Sequence, residues 1–531
     1  MSTANVSHDP GRDTATQPGG GDGVIANACS LPSWWPLAAF TLLAAVLRLS
    51  TLGAQSFWYD EAFTPVHVLH PSLTATLRAV VHTENTPPLW YILAWADARV
   101  LGTGEYALRL PSALAGIATV PVAWAIGREL TARRATAIAM AAFVAVNPLL
   151  VWYSQEARAY ALFVLFATLA MLCFLRALRR PTRGRMAMFA LSGSLALLSH
   201  YFAVFLLIPM TLWLVWAYAD RLRVVLPALA VLVLVGLALT PLISAQGGHG
   251  TQWIGQWALT SRLQAIPQYY LTDYYGAALG HGIELLLALP ILAGLGLGLW
   301  RVLTPPEERG ALIALAVAAG GILIPIALVV FGADYLAPRN LVAAMIPVTA
   351  LIAVIVPSQR AGRAGIALAV TITLAFLALS VDAALSPRLQ RGDWRGLARV
   401  LRGSPAATGS AVSPSTVVPP ARRAITTVEL GAAPLEYYIP GLHNLPVGRS
   451  VTVSEIDETG YSPLRAAAGT PPAPGFHLLD RRDVHGLIVY RFVSATPRTV
   501  SEATLRRHVI TEARPEVLVA TSARTIPALG A

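Results

Sequence analysis

Eleven stretches of the chain are apolar at or near the 17 to 25 residues that cross about 30 Å of hydrocarbon, and this repetition limits the possible folds more than any motif. They run from Pro32 to Leu52, Leu108 to Gly127, Ala135 to Trp152, Ala159 to Leu178, Met186 to Ser199, Phe202 to Tyr218, Val224 to Ile243, Ile283 to Trp300, Ala311 to Phe331, Leu341 to Val356 and Ala364 to Val381. Backbone groups in lipid must satisfy one another, so such stretches become helices. With 55% hydrophobic and 13% charged residues and a mean hydropathy of +0.58, a chain of 531 residues is too apolar to be an ordinary soluble protein. The expected class is a polytopic α-helical membrane protein of about eleven transmembrane helices.

Loop charges orient it. All 39 basic residues are Arg, and the net charge is +11. In a membrane protein such a surplus collects in cytoplasmic loops, so no nucleic-acid partner is expected. The basic short loops are Arg128 to Arg134, Arg176 to Arg185, Arg221 with Arg223, Arg301 with Arg309, and Arg360 with Arg363. Eleven spans with the N-terminus inside put all five on the cytoplasmic side. The shorter apolar piece Pro87 to Val100, with Trp90, Tyr91 and Trp95, then reads as an interfacial or re-entrant helix on the outer side. Residues 1–31 read as a disordered cytoplasmic tail, and without a basic start the first apolar run is a retained anchor. Cys29 and Cys173 suit neither a disulfide framework nor a metal site.

Polar chemistry then gathers in the outer segments, chiefly 53–107 and 244–282. Asp60 and Glu61, after Trp58 and Tyr59, put two carboxylates beside the membrane: a functional pair with a partner nearby, or the acidic first turn of a helix. Glu156 and Arg158 follow Tyr153 at the mouth of two spans, as site residues or as an Arg reaching the interface beside its neighbour. His82, Glu84 and Asn85 precede Pro87 and Pro88; His200 and Tyr201 join two spans, where a lone His is more often a packed or interfacial residue than a catalyst. The aromatic and amide residues of 246–282, from Trp253 to Tyr275, suit sugar stacking or an aromatic belt. Arg339, after Tyr335, runs against the charge bias and so suggests an anionic partner such as a lipid phosphate.

In order along the chain, these pieces resemble the GT-C glycosyltransferases of the protein O-mannosyltransferase and aminoarabinose-transferase type, and within them the bacterial PMT_2 (RgtA/B/C/D-like) group. The matching pieces are Trp58-Tyr59-Asp60-Glu61-Ala62, Glu84 with Pro87-Pro88-Leu89-Trp90-Tyr91, Arg109-Leu110-Pro111-Ser112, Asn147-Pro148 with Tyr153-Ser154-Gln155-Glu156-Ala157-Arg158-Ala159-Tyr160, Ser199-His200-Tyr201, and Tyr335 with Pro338-Arg339. The resemblance implies a GT-C fold and a transferase that takes a monosaccharide from a polyprenyl-phosphate donor, among membrane lipids, to an acceptor hydroxyl on a glycan, lipid or protein at the outer face. It implies Asp60 as general base of an inverting reaction, with Glu61 or Glu84 orienting, and Arg158 and Arg339 on the donor phosphate. Tyr59, Asn85, Tyr153, Glu156, His200, Tyr201 and Tyr335 would line the substrate site. In the aminoarabinose type a Lys stands where this chain has Asn85, so the phosphate must be met otherwise. No cofactor is expected, although a carboxylate cluster could take a divalent metal through oxygen ligands. A bacterial plasma membrane is the expected location.

After Val381 the composition turns polar. An amphipathic run through Leu397, Val400 and Leu401 and alternating stretches such as Leu487 to Val493 predict an extracytoplasmic α/β domain over 388–500, with 501–531 a weakly ordered tail. Two other classes remain. A lipid or sugar transporter, or flippase, would show paired halves with broken helices at matching positions, and no such repeat is visible. A non-catalytic membrane scaffold would tolerate loss of Asp60.

Overall fold

The computed structural model describes residues 34–247, 251, 253–273, 279–403, 423–511 and 514–520. The expected tail 1–31, residues 248–250, Gln252, Tyr274 and Tyr275 of the 244–282 loop, and residues 521–531 lie outside the described residues. Helix α1 (Trp35–Leu49) leads into a segment with three short helices, α2 (Tyr59–Phe63), α3 (Leu73–Thr83) and α4 (Leu89–Leu101). The bundle continues through α5 (Glu105–Thr131), α6 (Arg134–Val146), α7 (Pro148–Ser154), α8 (Tyr160–Arg179), α9 (Arg183–Ser199), α10 (Ala203–Ala217) and α11 (Leu222–Gln246). It closes with α12 (Leu259–Thr272), α13 (His281–Trp300), α14 (Pro305–Val330), a 3-10 turn (Pro338–Ala344) running into α15 (Met345–Ile355), and α16 (Gly362–Leu385).

Each of the eleven apolar stretches is carried by helix. Seven of the described helices are long and apolar enough to cross a membrane, eight if the bent pair α6 and α7 is one span, while α1 and α10 are shorter apolar helices. The chain is thus a multi-span membrane protein, and eleven crossings remains the sequence's own count. The five basic loops meet at one end of the bundle. Arg133 bonds Glu307 at 2.6 Å and the Pro357 carbonyl at 2.8 Å. Arg176 and Arg179 pair with Glu129, and Tyr218 donates to the Leu178 carbonyl.

The α6–α7 break is a 54° bend at Asn147-Pro148. Pro148 has no N–H for the Val144 carbonyl, and a side chain from α1 takes its place. Arg48, buried in the bundle, donates to the Val144 and Ala145 carbonyls at 3.1 and 2.8 Å and to Ser154 Oγ at 3.1 Å. Neutral oxygens at a helix C-terminus, the negative end of its dipole, thereby carry a buried cation. Helix α5 passes so closely that a Cβ on Gly116 would lie 2.0 Å from Ser154 Oγ.

Beyond α16 the chain turns back onto the loop after α1. Ser56 Oγ donates to the Gly392 carbonyl and accepts from Trp394 N, and Arg395 reaches the Ala54 carbonyl at 2.7 Å. Helix α17 (Trp394–Arg402) buries Trp394, Leu397 and Leu401. It packs on a six-stranded sheet of β1 (Arg423–Thr427), β2 (Leu442–Asn444), β3 (Ser450–Gly460), β4 (His477–Val484), β5 (Leu487–Ser501) and β6 (Glu516–Ala520), in the order β2-β6-β1-β3-β5-β4. Only the β1–β3 pairing is parallel. Helices α18 (Ala432–Tyr438) and α19 (Glu502–Arg507) complete the unit. The expected α/β class holds for this part, but its end at 500 does not. Strand β6 sits between β1 and β2, so a piece expected in the tail is central to the sheet. The domain docks on the loop after α1 and the start of α5 through Tyr438, whose hydroxyl accepts from Phe57 N at 2.7 Å and donates to Glu105 at 2.7 Å.

Candidate active site

The turn of α2 puts Asp60 and Glu61 in its first turn, where carboxylates are favoured by the exposed N–H groups. Their side chains go to different surroundings. Glu61 is fully buried and both its oxygens are taken: Arg109 donates Nε to Oε1 at 2.7 Å and Nη2 to Oε2 at 2.6 Å, the Ala157 N–H adds 2.8 Å, and Arg391 adds 3.2 Å. These donors outweigh desolvation and hold its carboxyl below the ordinary range. Arg109 also clasps the carbonyls of Leu52, Gln55 and Ser56. Glu61, expected to orient the acceptor or Asp60, spends both oxygens on these donors and is a strut that fixes the loop carrying Asp60.

Asp60 points elsewhere. Its Oδ2 meets Arg339 Nη1 at 2.8 Å, with 18% of the Asp60 side chain and 26% of the Arg339 side chain exposed. Arg339 also lies over the Trp253 ring at 4.9 Å, in cation–π range. Arg158 bonds the Asp60 carbonyl at 3.3 Å and Glu84 Oε2 at 3.1 Å. Tyr91 donates to the same Glu84 oxygen, and Glu84 Oε1 is buried without a hydrogen bond among the described residues. The residues at 60, 84, 158 and 339, far apart in sequence, thus share one cluster at the end opposite the basic loops.

Loop 334–340 is fixed by a two-pronged pair between Arg262 and Asp334 at 2.6 and 2.8 Å, and the segment around Glu84 by Gln246, which donates to the Val80 and Thr86 carbonyls and accepts from Tyr201. Tyr201 therefore acts through Gln246. Tyr153 is buried against Tyr160 at 4.7 Å, and the rings of Tyr59 and Trp58 meet at 4.4 Å, tilted by 54°. Asn85 is half-buried next to Glu84. Tyr335 is half exposed at the rim and uses its carbonyl to hold Asn340. His200, expected to line the substrate site, stacks on Phe163 at 4.8 Å and accepts the Phe202 N–H at Nδ1. Burial, with the charges of Arg339 and Arg158, pushes its pKa down to about 3.

Sequence reasoning assigned no task to Arg391. Its guanidinium lies between Trp152 and Trp58, 4.1 and 4.8 Å from the ring centroids, and bridges Glu61 and Glu156 at 3.2 and 3.0 Å. Glu156 is buried; its Oε2 holds Arg391, and its Oε1 accepts no hydrogen bond among the described residues. Burial raises its carboxyl to about 7. Among the described residues no group of three or more His, Cys, Asp or Glu is arranged to hold a metal ion.

Residues 85–244 match the family model described as dolichyl-phosphate-mannose-protein mannosyltransferase, in keeping with the resemblance seen in the sequence. The matched range holds Arg109, Glu156 and Arg158; Asp60, Glu84 and Arg339 lie outside it. No curated protein matches. Among solved structures, the Saccharomyces cerevisiae protein O-mannosyltransferase Pmt1-Pmt2 complex bound to the sugar donor is 18% identical, over 40% of this chain and 33% of that one, at a TM-score of 0.34. ArnT from Cupriavidus metallidurans bound to undecaprenyl phosphate is 13% identical over 87% and 98%, at 0.49. The Archaeoglobus fulgidus oligosaccharyltransferase with zinc and sulfate is 14% identical over 76% and 61%, at 0.44.

Proposed function

We propose that the protein is a membrane glycosyltransferase that moves a monosaccharide from a polyprenyl-phosphate donor to an acceptor hydroxyl on the extracytoplasmic face, with inversion. The observation that carries this is the Asp60–Arg339 pair: a partly exposed carboxylate and a partly exposed guanidinium in contact, at the end of the bundle opposite the basic loops. The match to a mannosyltransferase family supports the chemistry, and the segregation of the basic loops supports the orientation.

A lipid phosphate leaving group needs a cation for its growing charge, and the acceptor needs a base. Phosphate oxygens take the outward face of Arg339, with Arg158 beside it, as charge-assisted acceptors. Asp60, loosened from Arg339, accepts the proton of the acceptor hydroxyl. The acceptor oxygen bonds the anomeric carbon, the bond from that carbon to the phosphate oxygen breaks, and its electron pair leaves on the phosphate. Glu61, Arg109 and Arg391 hold the loop still.

The test offers radiolabelled polyprenyl-phosphate sugars to membranes that contain or lack the protein, and asks which label moves and onto what glycan, lipid or protein. Transfer that needs the protein and is lost in Asp60→Asn is expected. Equal transfer by Asp60→Asn removes the proposed base, and absence of transfer from a full panel of donor sugars removes the enzyme and favours a scaffold or transporter.

A further inference from the structure

Four carboxylates and four guanidinium groups interleave in the site. Asp60 pairs with Arg339, Glu84 with Arg158, Glu61 with Arg109 and Arg391, and Glu156 with Arg391. With all eight groups ionised the cluster is neutral. A phosphate brought to Arg339 adds a negative charge to a partly dry site, where an unbalanced charge is expensive. One carboxylate must yield its own, and the hydrogen bonds say which. Glu61 has four donors, Glu84 has Arg158 and Tyr91, and Asp60 must stay ionised to act as base. Glu84 and Glu156 each keep an Oε1 without a hydrogen bond among the described residues, but Oε2 of Glu84 has two donors and Oε2 of Glu156 has one.

We propose that Glu156 takes up a proton when the donor's phosphate binds, so that donor affinity is coupled to pH through this one side chain. This rests on the assignment of Arg339 to the phosphate. The groups that act on Glu156 are Arg391 beyond the last span, Asp60 and Glu61 on α2, Arg339 on the turn before α15, and the phenols of Tyr153 and Tyr160 on α7 and α8. An arriving anion strengthens the negative set. The empty site already holds the Glu156 carboxyl near neutrality, and the bound site holds it higher. The complex therefore keeps a proton that the free protein sheds, and affinity falls as pH rises past about 7.

The probe is a polyprenyl methyl phosphodiester, whose own charge is constant across the range. Its affinity for the purified full-length protein is measured from about pH 6 to 9, where one linked proton limits the slope to about tenfold per unit. The wild type is expected to bind steadily at the acid end and to weaken above about 7, whereas Glu156→Gln binds with little dependence on pH and more tightly than wild type at the alkaline end. Heats of binding near pH 8, in buffers of different ionisation enthalpy, count the proton on the unaltered protein. A flat wild-type curve with good binding, or a slope that survives in Glu156→Gln, overturns proton uptake here and leaves the phosphate site standing. Lack of binding at every pH overturns both.

Discussion

Two adjacent carboxylates should fail in opposite ways. In Glu61→Gln the amide has one oxygen for four donors, and its NH2 group turns toward guanidinium groups that cannot accept. Arg109, with 2% of its side chain exposed, is then left against a neutral partner at a site with 0% exposure. Breaking a buried ion pair from one side costs about 3–5 kcal/mol, which lowers the midpoint of thermal unfolding of a chain this long by roughly 3–5 °C. Asp60→Asn keeps an oxygen for Arg339 in a contact that is partly wet on both sides. Its cost should stay under about 1 kcal/mol, while the loss of a general base removes about 10² to 10⁴ in rate. Unfolding of both detergent-purified variants, followed by tryptophan fluorescence, is compared with their transfer rates. A Glu61→Gln protein as stable as wild type, or an Asp60→Asn protein destabilised just as much, would refute this division between strut and base.

Three further outcomes are expected. Gly116→Ala pushes a methyl group into Ser154 and Arg48, and overpacking of that kind costs about 1–3 kcal/mol, visible as a lower unfolding midpoint. Burial, and then the charge of Glu516, raise the Glu436 carboxyl to about 7. The folded state therefore holds its proton more tightly than the unfolded chain, and stability present below about 4.5 is lost as pH rises through 7; Glu436→Gln should shrink the fall in midpoint between pH 5 and 8. A cysteine at Val447, 83% exposed on the sheet domain, should react with a membrane-impermeant maleimide in whole cells if that domain is extracytoplasmic, and only after lysis if it is not.

Much of the site was legible because charge is costly near lipid. Asp60, Glu84, Arg158 and Arg339 stand out against apolar surroundings, and the structure brings them together. What the sequence hid is the division of labour. Glu61 looks as reactive as Asp60 until Arg109, 48 positions away, is seen to clasp it. Arg109 sits in the first turns of an apolar helix, and pairing over that distance is not written in spacing. Arg391 lies in an ordinary-looking polar stretch, and only the return of the chain to residues 54–56 gives it a place. The end of the sheet domain was misplaced because five residues, Glu516 to Ala520, carry no sign of inserting between β1 and β2. Apolar length fixed where the helices fall, since hydrocarbon thickness is a physical ruler, but not how many cross.

The stitch between residues 390–395 and the loop after α1 also says something about biosynthesis. A chain made from its N-terminus has Glu61 clasped by Arg109 early, yet Glu156 waits for Arg391, which arrives only after the final apolar helix has left the ribosome. A nascent or prematurely terminated copy would thus leave Glu156 without its guanidinium and the loop after α1 without its last tie.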